Sequence, residues 1–526
     1  MSGFWVIDAE TDPFEAGRIP KPFIWGVYNG ERFWHFPDFA AVLDCLHANQ
    51  AERVYAHNGG RFDFWLSGVL EHVDELTSPL IINGRLAEIR IEGISFRDSY
   101  SLVPVALAEY QKDSIDYSWF SVGNRESHMA EILAYLRTDC VALYRLLIEF
   151  QDRFGSAAYT IAQVAKAEAI RLCGEDFPIC TKEIDSFVRP AYHGGRCQAF
   201  KRGYFKRAEL WDLNSAYPWA CSYEHFWPER LSAVRGDPGS INGKTLYEVS
   251  CDSYGTLPVR RKSGLEFPHE YARYLVFGWE LKRGVEAGEV KDLHIVRAYE
   301  GNRKVSFEPF VAHYYRQKQA ARLQGRKADF IFAKILLNSL YGKLGINPAR
   351  YQRYMLIDPA YISAHIEVGA HDNWTFDGTL GNWALLARPY SDKEMHFASV
   401  MTAGSITSLV RARLADAMAK VRRSGEVLYC DTDSIFSLGE SGLREGERLG
   451  DWRRELVDEI YIAGPKVYAY RKGRRWVCKS AGLQLSVAEI RDAAFGKPVD
   501  WESMVPTWTP GRLAPAFRRV RLNQPS

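Results

Sequence analysis

The sequence predicts a mixed α/β chain, and three observations carry that expectation. Short apolar runs (Phe4 to Ile7, Arg53 to Ala56, Ala87 to Ile91) alternate with helical stretches such as Ala130 to Phe150 across the first 150 or so residues. After Tyr192-His193-Gly194-Gly195 a second α/β region begins, with a strand ending at Trp211-Asp212-Leu213. Further on, an apolar run enters (Val427, Leu428) and another leaves (Ile435, Phe436) the hexapeptide Tyr429-Cys430-Asp431-Thr432-Asp433-Ser434, the pattern of a β-hairpin with two carboxylates at its tip. Between these lie a long helix over about Asp329 to Leu344 and, from about Asn347 to His396, a stretch rich in aromatics, Gly and Asp that reads as an insertion. At 526 residues, length alone suggests about three domains.

Composition narrows the class. With 47% hydrophobic and 25% charged residues the chain reads as soluble and globular, which excludes a disordered or fibrous protein. A net charge of +2 means that a nucleic-acid partner would have to be held by local basic clusters. Such clusters occur at Arg260-Arg261-Lys262, Arg422-Arg423, Arg471-Lys472 with Arg474-Arg475, and Arg518-Arg519 with Arg521, and each equally fits a solvated surface. Nine cysteines without a Cys-x-x-Cys pair argue against a disulfide framework or a zinc ribbon and fit a reducing cytoplasm. The first residues carry Asp8 and Glu10 and no basic n-region, and no run of about 18 apolar residues occurs, so neither secretion nor membrane insertion is expected.

Taken in chain order, the first chemical signal is Asp8 with Glu10, two residues apart on a strand and therefore facing one side. Asp63 follows Asn58-Gly59-Gly60-Arg61-Phe62, and Asp139 lies one helical turn after Tyr135. Four carboxylates from three segments fit a two-metal nuclease with Tyr135 orienting the attacking water, although Asp8 and Glu10 alone also fit a solvated strand face.

A second carboxylate set follows. Asp212 ends a strand before a turn, and Asp431 and Asp433 share one face of an extended backbone, where like charges are costly unless a hard divalent cation such as Mg²⁺ lies between them. Two-metal phosphoryl transfer needs carboxylates from separate elements; Asp212 and Asp433 are the expected bridging pair and Asp431 a third. Read in isolation, the hairpin tip is better explained as a polar turn, and the rest of the chain reverses that. On the long helix Lys334, Asn338 and Tyr341 recur at i, i+4 and i+7 and so share a face, where Lys334 can meet a triphosphate while the other two flank a base pair. Gly342 and Gly345 would let backbone approach DNA closely, and Lys318 or Arg322 could add a second cation.

Asp212-x-x-Ser215-x-Tyr217-Pro218, Lys334-x-x-x-Asn338-Ser339-x-Tyr341-Gly342 and Tyr429-x-Asp431-Thr432-Asp433-Ser434, in this order, resemble the palm and fingers motifs of family B DNA polymerases. The resemblance implies that Ser215, Tyr217, Lys318, Lys334, Asn338 and Tyr341 bind the incoming deoxynucleoside triphosphate, with Tyr217 under the sugar rejecting ribonucleotides. Lys466-x-Tyr468 resembles the primer-terminus motif, Lys479 sits where relatives place another primer-end lysine, and Thr432 falls on the DNA. The N-terminal acids resemble the three motifs of the 3′ to 5′ proofreading exonuclease of the same family. That maps Thr11, Asn58, Phe62 and Ser99 to single-strand binding and Lys112 to charge stabilisation.

Tyr192-His193-Gly194-Gly195 resembles the Tyr-x-Gly-Gly element of the protein-primed branch, with Tyr192, Gly194 and Gly195 against the template strand. The chain is similar to the replicative polymerases of tectiviruses in Arg18 to Phe23, Ala56 to Gly60, Phe96 to Tyr100 and Gly194 to Phe200; Ala216 departs in replacing a larger apolar residue. The resemblance implies an RNase H-like exonuclease over 1–165 and a right-hand polymerase over 166–526. Within the latter it implies palm over 190–218 and 399–481, a terminal-protein-contacting insert over 219–305, fingers over 306–346, a processivity and strand-displacement insert over 347–398, and thumb over 482–526. It also implies two Mg²⁺ ions per site, replaceable by Mn²⁺. The implied partners are DNA template and primer, deoxynucleoside triphosphates and a phage terminal protein as primer, with no membrane, for a monomer acting in the host bacterial cytoplasm.

Overall fold

The computed structural model describes residues 3–13, 20–111, 113–155, 157–174, 176–177, 180–364, 373–395, 398–481, 483, 485–509 and 512–522, the last stretch from 501 as backbone only. Its N-terminal part is a seven-stranded mixed sheet. The strand Trp5–Thr11 lies at its centre, antiparallel to Pro22–Tyr28 and parallel to Arg53–Ala56, which in turn runs parallel to Ile94–Asp98. Every residue of Trp5–Thr11 except Asp8 is buried, as expected of a central strand covered on both faces.

One of those covers is the helix Met129–Phe154. Ile132, Leu136, Leu143, Leu147 and Phe150 are buried along one stripe, which holds the helix to the sheet and so aims Tyr135 and Asp139 at Trp5–Thr11. The helix runs one turn beyond the sequence expectation and stops at Gly155, whose φ of +76° suits glycine.

A second seven-stranded sheet holds the other carboxylates, in the order Arg475–Ser480, Val467–Lys472, Trp452–Gly464, Gly203–Leu213, Ser434–Gly439, Gly425–Asp431, Cys197–Ala199. The expected hairpin is present as Gly425–Asp431 and Ser434–Gly439. Its second strand pairs with Gly203–Leu213 so that Ser434 stands opposite Asp212, which brings two distant sequence segments to one sheet end. Behind the sheet runs the helix Val400–Ser424, buried along nearly its whole first half.

The helices Glu308–Leu323 and Lys327–Leu344 pack against each other and against Ile161–Cys173. Between Gly203–Leu213 and this pair stands a four-stranded antiparallel sheet, His225–Val234, Val290–Val305, Leu246–Tyr254 and His269–Phe277, with the helix Gly278–Glu286. A buried relay anchors it: Trp279 Nε1 donates to Ser405 Oγ (3.0 Å), Ser405 lies 2.8 Å from His225 Nδ1, and His225 Nε2 lies 2.8 Å from the Ala220 carbonyl. Burial without a counter-charge holds His225 neutral, down at about 4.

The stretch from Asn347 lacks clear period in sequence but forms a three-stranded sheet, Gln352–Ile357, Trp383–Pro389 and Thr375–Leu380. It docks on the N-terminal part. Leu76 N–H donates to Leu356 O and Leu356 N–H to Thr77 O (both 2.9 Å), Trp383 Nε1 donates to Val73 O (2.6 Å), and Leu356, Leu380 and Leu385 join the core beneath the first sheet. The chain closes with the helix Val487–Ala494 and a hairpin, Val499–Thr509 with Arg512–Leu522. Among the described residues no helix is long and apolar enough to cross a membrane.

Candidate active sites

Asp8 and Glu10 come from the strand Trp5–Thr11, Asp63 from the turn that follows Arg53–Ala56, and Tyr135 and Asp139 from the helix that covers them. The Cys140 thiol reports their convergence. It is fully buried, and its ionisation is pushed well up by burial and then by Asp8, Asp139, Glu10 and Asp63 together. Asp63 is 2% exposed, and burial, followed by the charges of Asp8 and Asp98, holds its carboxyl well above the usual carboxylate range. One of its oxygens, Oδ1, is buried with no hydrogen-bond partner among the described residues. The Tyr135 phenol is likewise pushed up, by burial, by its contact with Tyr117 Oη (3.4 Å) and by Asp139.

The second set lies at the end of the other sheet. Asp433 sits in the hairpin turn, where burial and the charges of Asp212 and Asp431 raise its carboxyl to about 7. Asp212 is shifted up by burial, and Arg453 Nη2, 3.6 Å away, pulls the other way. Asp431 is held by Lys466, whose Nζ donates to both oxygens at 2.7 and 2.9 Å. Among the described residues no three acidic, His or Cys side chains are already drawn around one point. Like charges with nothing between them stay apart, so the donor sets fit a hard divalent cation by chemistry: oxygen ligands, raised carboxyls and an orphaned buried oxygen at Asp63.

Facing Asp212 is a group of cations from the two packed helices. Lys318 Nζ donates to Ser215 Oγ at 3.1 Å, and burial with the neighbouring charges of Lys334, Arg322 and Arg453 pushes its ammonium down. Ser215 has a φ of +53°, and Asn214 beside it donates to Tyr315 Oη at 2.9 Å, which fixes the turn after Asp212. Lys334, Asn338 and Tyr341 occupy the accessible face of a helix whose other positions from Ala328 to Leu340 are largely buried, as their spacing predicts. Tyr341 stacks on Tyr217 with ring centroids 3.9 Å apart and planes at 10°. Lys334 itself reaches Glu109, 3.7 Å away on the short helix Leu107–Tyr110.

Several expectations change on inspection. Lys112 lies outside the described residues. Ser99, expected at a single strand, is 1% exposed and bonds the Ala56 carbonyl (3.1 Å) and His57 Nδ1 (3.0 Å), so it positions His57 from within. Thr11 is also buried, whereas Asn58 (φ +68°) accepts from Arg85 Nη1 at 2.8 Å and Phe62 stays partly accessible. Gly345 makes room for protein and not for DNA, since a Cβ there would lie 2.4 Å from the Tyr192 hydroxyl. Gly195 likewise accommodates Thr432, at 2.6 Å from such a Cβ, while Gly194 faces open space. Tyr468 is buried against Tyr429 and Phe436, and Lys479 opposite it is exposed.

Sequence reading missed Arg411. Its guanidinium is bound to Glu280 and donates to the carbonyls of His193 and Gly194 (2.6 and 2.8 Å), which fixes the segment before the strand Cys197–Ala199 that pairs with the hairpin. An Arg in the middle of a helix gives no local signal for that.

Comparison with known proteins agrees with this arrangement. Residues 109–367 match the family model described as DNA polymerase type B, organellar and viral. The DNA-directed DNA polymerase of Enterobacteria phage PRD1 is 34% identical over 513 residues, covering 94% of this chain and 87% of that protein. A probable DNA polymerase of Neurospora intermedia is 22% identical, covering 86% of this chain and 56% of its own length. In fold, the chain matches Phi29 DNA polymerase complexed with primer-template DNA (TM-score 0.72, 17% identity, 98% of this chain and 99% of that one) and its ternary complex with incoming nucleotide (0.71, 18%, 99% of each). With two carboxylate sets on two sheets and this likeness along nearly its whole length, the chain belongs to the protein-primed family B DNA polymerases and is a DNA-directed DNA polymerase.

Proposed function

We propose that this polymerase replicates a linear phage genome in the host bacterial cytoplasm, starting from a hydroxyl of a terminal protein, with 3′ to 5′ proofreading and strand displacement. The observation that carries the reading is the pairing of two separate acidic centres. Asp212 stands opposite Ser434, the residue next to Asp433, before a bank of cations, and Asp8, Glu10, Asp63 and Asp139 surround Cys140 on another sheet.

In the synthetic site Asp212 and Asp433, with Asp431, would hold Mg²⁺, and Asp8, Glu10, Asp63 and Asp139 would hold it in the other. Bound there, the metal makes the attacking hydroxyl or water more acidic and neutralises phosphate charge. Lys334 and Lys318 bind the triphosphate of the incoming nucleotide, and Ser215 orients Lys318. Asn338 and Tyr341 bound the nascent base pair. Tyr217, held flat by Tyr341, fills the space a 2′-hydroxyl would need. Lys466, whose ammonium lies against Asp431, contacts the primer terminus, with Lys479 further along the strand. Tyr468 supports that turn from the core, and Thr432 sits on the DNA side of the hairpin tip. Tyr192, Gly194 and Gly195 follow the template. In the nuclease site Tyr135 orients the attacking water, Asn58 and Phe62 receive the unpaired 3′ end, Thr11 and Ser99 shape that pocket from beneath, and Lys112 would offset the developing charge.

The domain division that follows is exonuclease over 1–165 and polymerase over 166–526, the latter with palm over 190–218 and 399–481 and fingers over 306–346. The four-stranded insert (219–305) contacts the terminal protein, the insert over 347–398 opens the DNA ahead, and 482–526 forms the thumb of a monomeric enzyme. Docking of the three-stranded insert on the nuclease part supports the strand-opening role, because it makes a continuous wall.

The deciding experiment supplies a candidate terminal protein, Mg²⁺ and one labelled deoxynucleotide; nucleotide covalently attached to that protein is the expected product. Incorporation only on oligonucleotide primers would overturn protein priming. Asp433→Ala should abolish incorporation and spare single-strand degradation, and Asp8→Ala with Glu10→Ala should do the reverse. Loss of both activities in either variant would refute two separate centres.

A further inference from the structure

A cavity of about 310 Å³ lies on the far side of the strand Cys197–Ala199 and is used by none of the steps above. Its floor is basic. Arg196 and Arg283 are each 6% exposed, and both are committed within the protein. Arg283 pairs with Glu289 and donates to Asp416 Oδ1 and the Ala415 carbonyl (both 3.2 Å). Arg196 donates to the Gly255 carbonyl (2.8 Å) and to Gln198, and its guanidinium lies 4.1 Å from the centre of the Phe267 ring.

The mouth differs from the floor. Arg422 is exposed, its guanidinium 5.1 Å from the centre of the Phe200 ring, and it makes no hydrogen bond to any described residue. Tyr254, across the cavity on the four-stranded sheet, is 44% exposed. Three guanidiniums against the carboxylates of Glu289 and Asp416, both of which pair with Arg283, leave the cavity net positive, and Phe200, Phe267 and Tyr254 line it, each with a cation over one ring face (Arg422, Arg196 and Lys291). A ligand that suits both features has a flat π-face and one negative group.

We propose that this cavity holds one unpaired nucleotide of a single-stranded nucleic acid, its base among Phe200, Phe267 and Tyr254 and its phosphate on Arg422. Stacking on aromatic rings beside a backbone-tracking cation is how sequence-tolerant single-strand sites are built. An acidic peptide fits less well, because only one guanidinium is uncommitted. Placement supports a role beside synthesis. Cys197–Ala199 pairs with the carboxylate strand, Cys430 opposite Gln198, and the Arg196 carbonyl accepts the Thr432 N–H at 2.7 Å, so an occupant rests one strand away from Asp433. The basic pair Arg422-Arg423, which the catalytic sites leave idle, then has a use.

The test uses the full-length protein in EDTA, where no nuclease activity can run, with a short single-stranded oligodeoxynucleotide carrying 5-iododeoxyuridine. After irradiation, crosslinked peptides are mapped by mass spectrometry. Crosslinks at Phe267 or Tyr254 are expected, alongside others at Phe62. Arg422→Gln should cut the Phe267 yield about tenfold at sub-saturating oligonucleotide, as loss of a charged hydrogen bond implies. The Phe62 crosslink serves as internal reference and reports that the variant is folded. Absence of crosslinks at both Phe267 and Tyr254 would overturn the proposal, as would a Phe267 yield untouched by Arg422→Gln.

Discussion

Arg411 and Glu280 form a closed ion pair inside the molecule, with Nε to Oε1 at 2.8 Å and Nη2 to Oε2 at 2.6 Å and both side chains almost without solvent contact. The remaining nitrogen of Arg411 holds the carbonyls of His193 and Gly194, so one residue ties the four-stranded sheet's helix, the helix Val400–Ser424 and the segment leading to the strand Cys197–Ala199, which pairs with the hairpin of Asp431 and Asp433. Removing one partner of such a pair strands a buried charge and costs about 3–5 kcal/mol, whereas replacing both with apolar residues of similar volume is close to neutral. Glu280→Leu alone should therefore lower the unfolding temperature strongly, and Arg411→Met with Glu280→Leu should recover most of it. Primer-template affinity should stay reduced in the double variant, because the two carbonyls have lost their donor. A gel-shift titration at wild-type strength for the double variant would refute the positioning role.

Tyr217 cannot tilt without leaving Tyr341, since the rings lie flat on one another at 3.9 Å. Tyr217→Val should improve the use of ribonucleotides relative to deoxyribonucleotides on the order of 10- to 100-fold, the range that a single steric contact supplies. Tyr341→Ala removes the support and keeps the gate, so the same ratio should move less while KM rises for both substrates. Measured kcat/KM for the two nucleotide classes decides it, and an unchanged ratio in Tyr217→Val would place that ring elsewhere.

Asp433 destabilises the metal-free protein when charged. Its folded-state carboxyl titrates at about 7, above the ordinary 3.8, because of burial and two neighbouring carboxylates. Between those values the folded state binds the proton that the unfolded state has released, so stability falls as pH rises from about 4 to about 7 and the full cost is present above that. Asp433→Asn should remove about 1–3 kcal/mol of repulsion at pH 8 while abolishing incorporation, a trade of function for stability. In EDTA the variant should unfold a few degrees above the wild type at pH 8, and the gap should narrow steadily as pH falls from 7 toward 4. Equal unfolding temperatures at pH 8 would mean that Asp433 is not under strain.

These relationships differ in how far the sequence announces them. The hairpin around Asp431 and Asp433, the strand ending at Asp212 and the face of Lys334, Asn338 and Tyr341 are local patterns, set by periods of two and 3.6, and the structure reproduces them. Arg411, the Gly345 niche filled by Tyr192 and the convergence of four carboxylates on Cys140 depend on segments brought together only by folding. Ser99, which the resemblance maps to single-strand binding, sits in the turn just past the strand Ile94–Asp98 and is buried there, a placement that its sequence neighbours do not announce. The segment after Asn347 gave no period because its strands are six or seven residues long, and one of their pairings carries a bulge between Phe376 and Gly378.

On the proposed function, Lys334 exchanges one anion for another during synthesis. Its ammonium lies 3.7 Å from Glu109, with both side chains around half exposed. An exposed pair of this length is worth about 0.2–1 kcal/mol, and that is what an incoming triphosphate has to overcome at Lys334. Glu109→Gln should accordingly lower the KM for nucleotide by up to about fivefold with kcat unchanged, the size that such a free energy permits. The difference should fade in high salt, which screens exposed pairs first. A rise in KM would reverse the assignment: Glu109 would then hold Lys334 in the orientation that receives the triphosphate, and Lys334→Ala combined with Glu109→Gln would be no worse than Lys334→Ala alone.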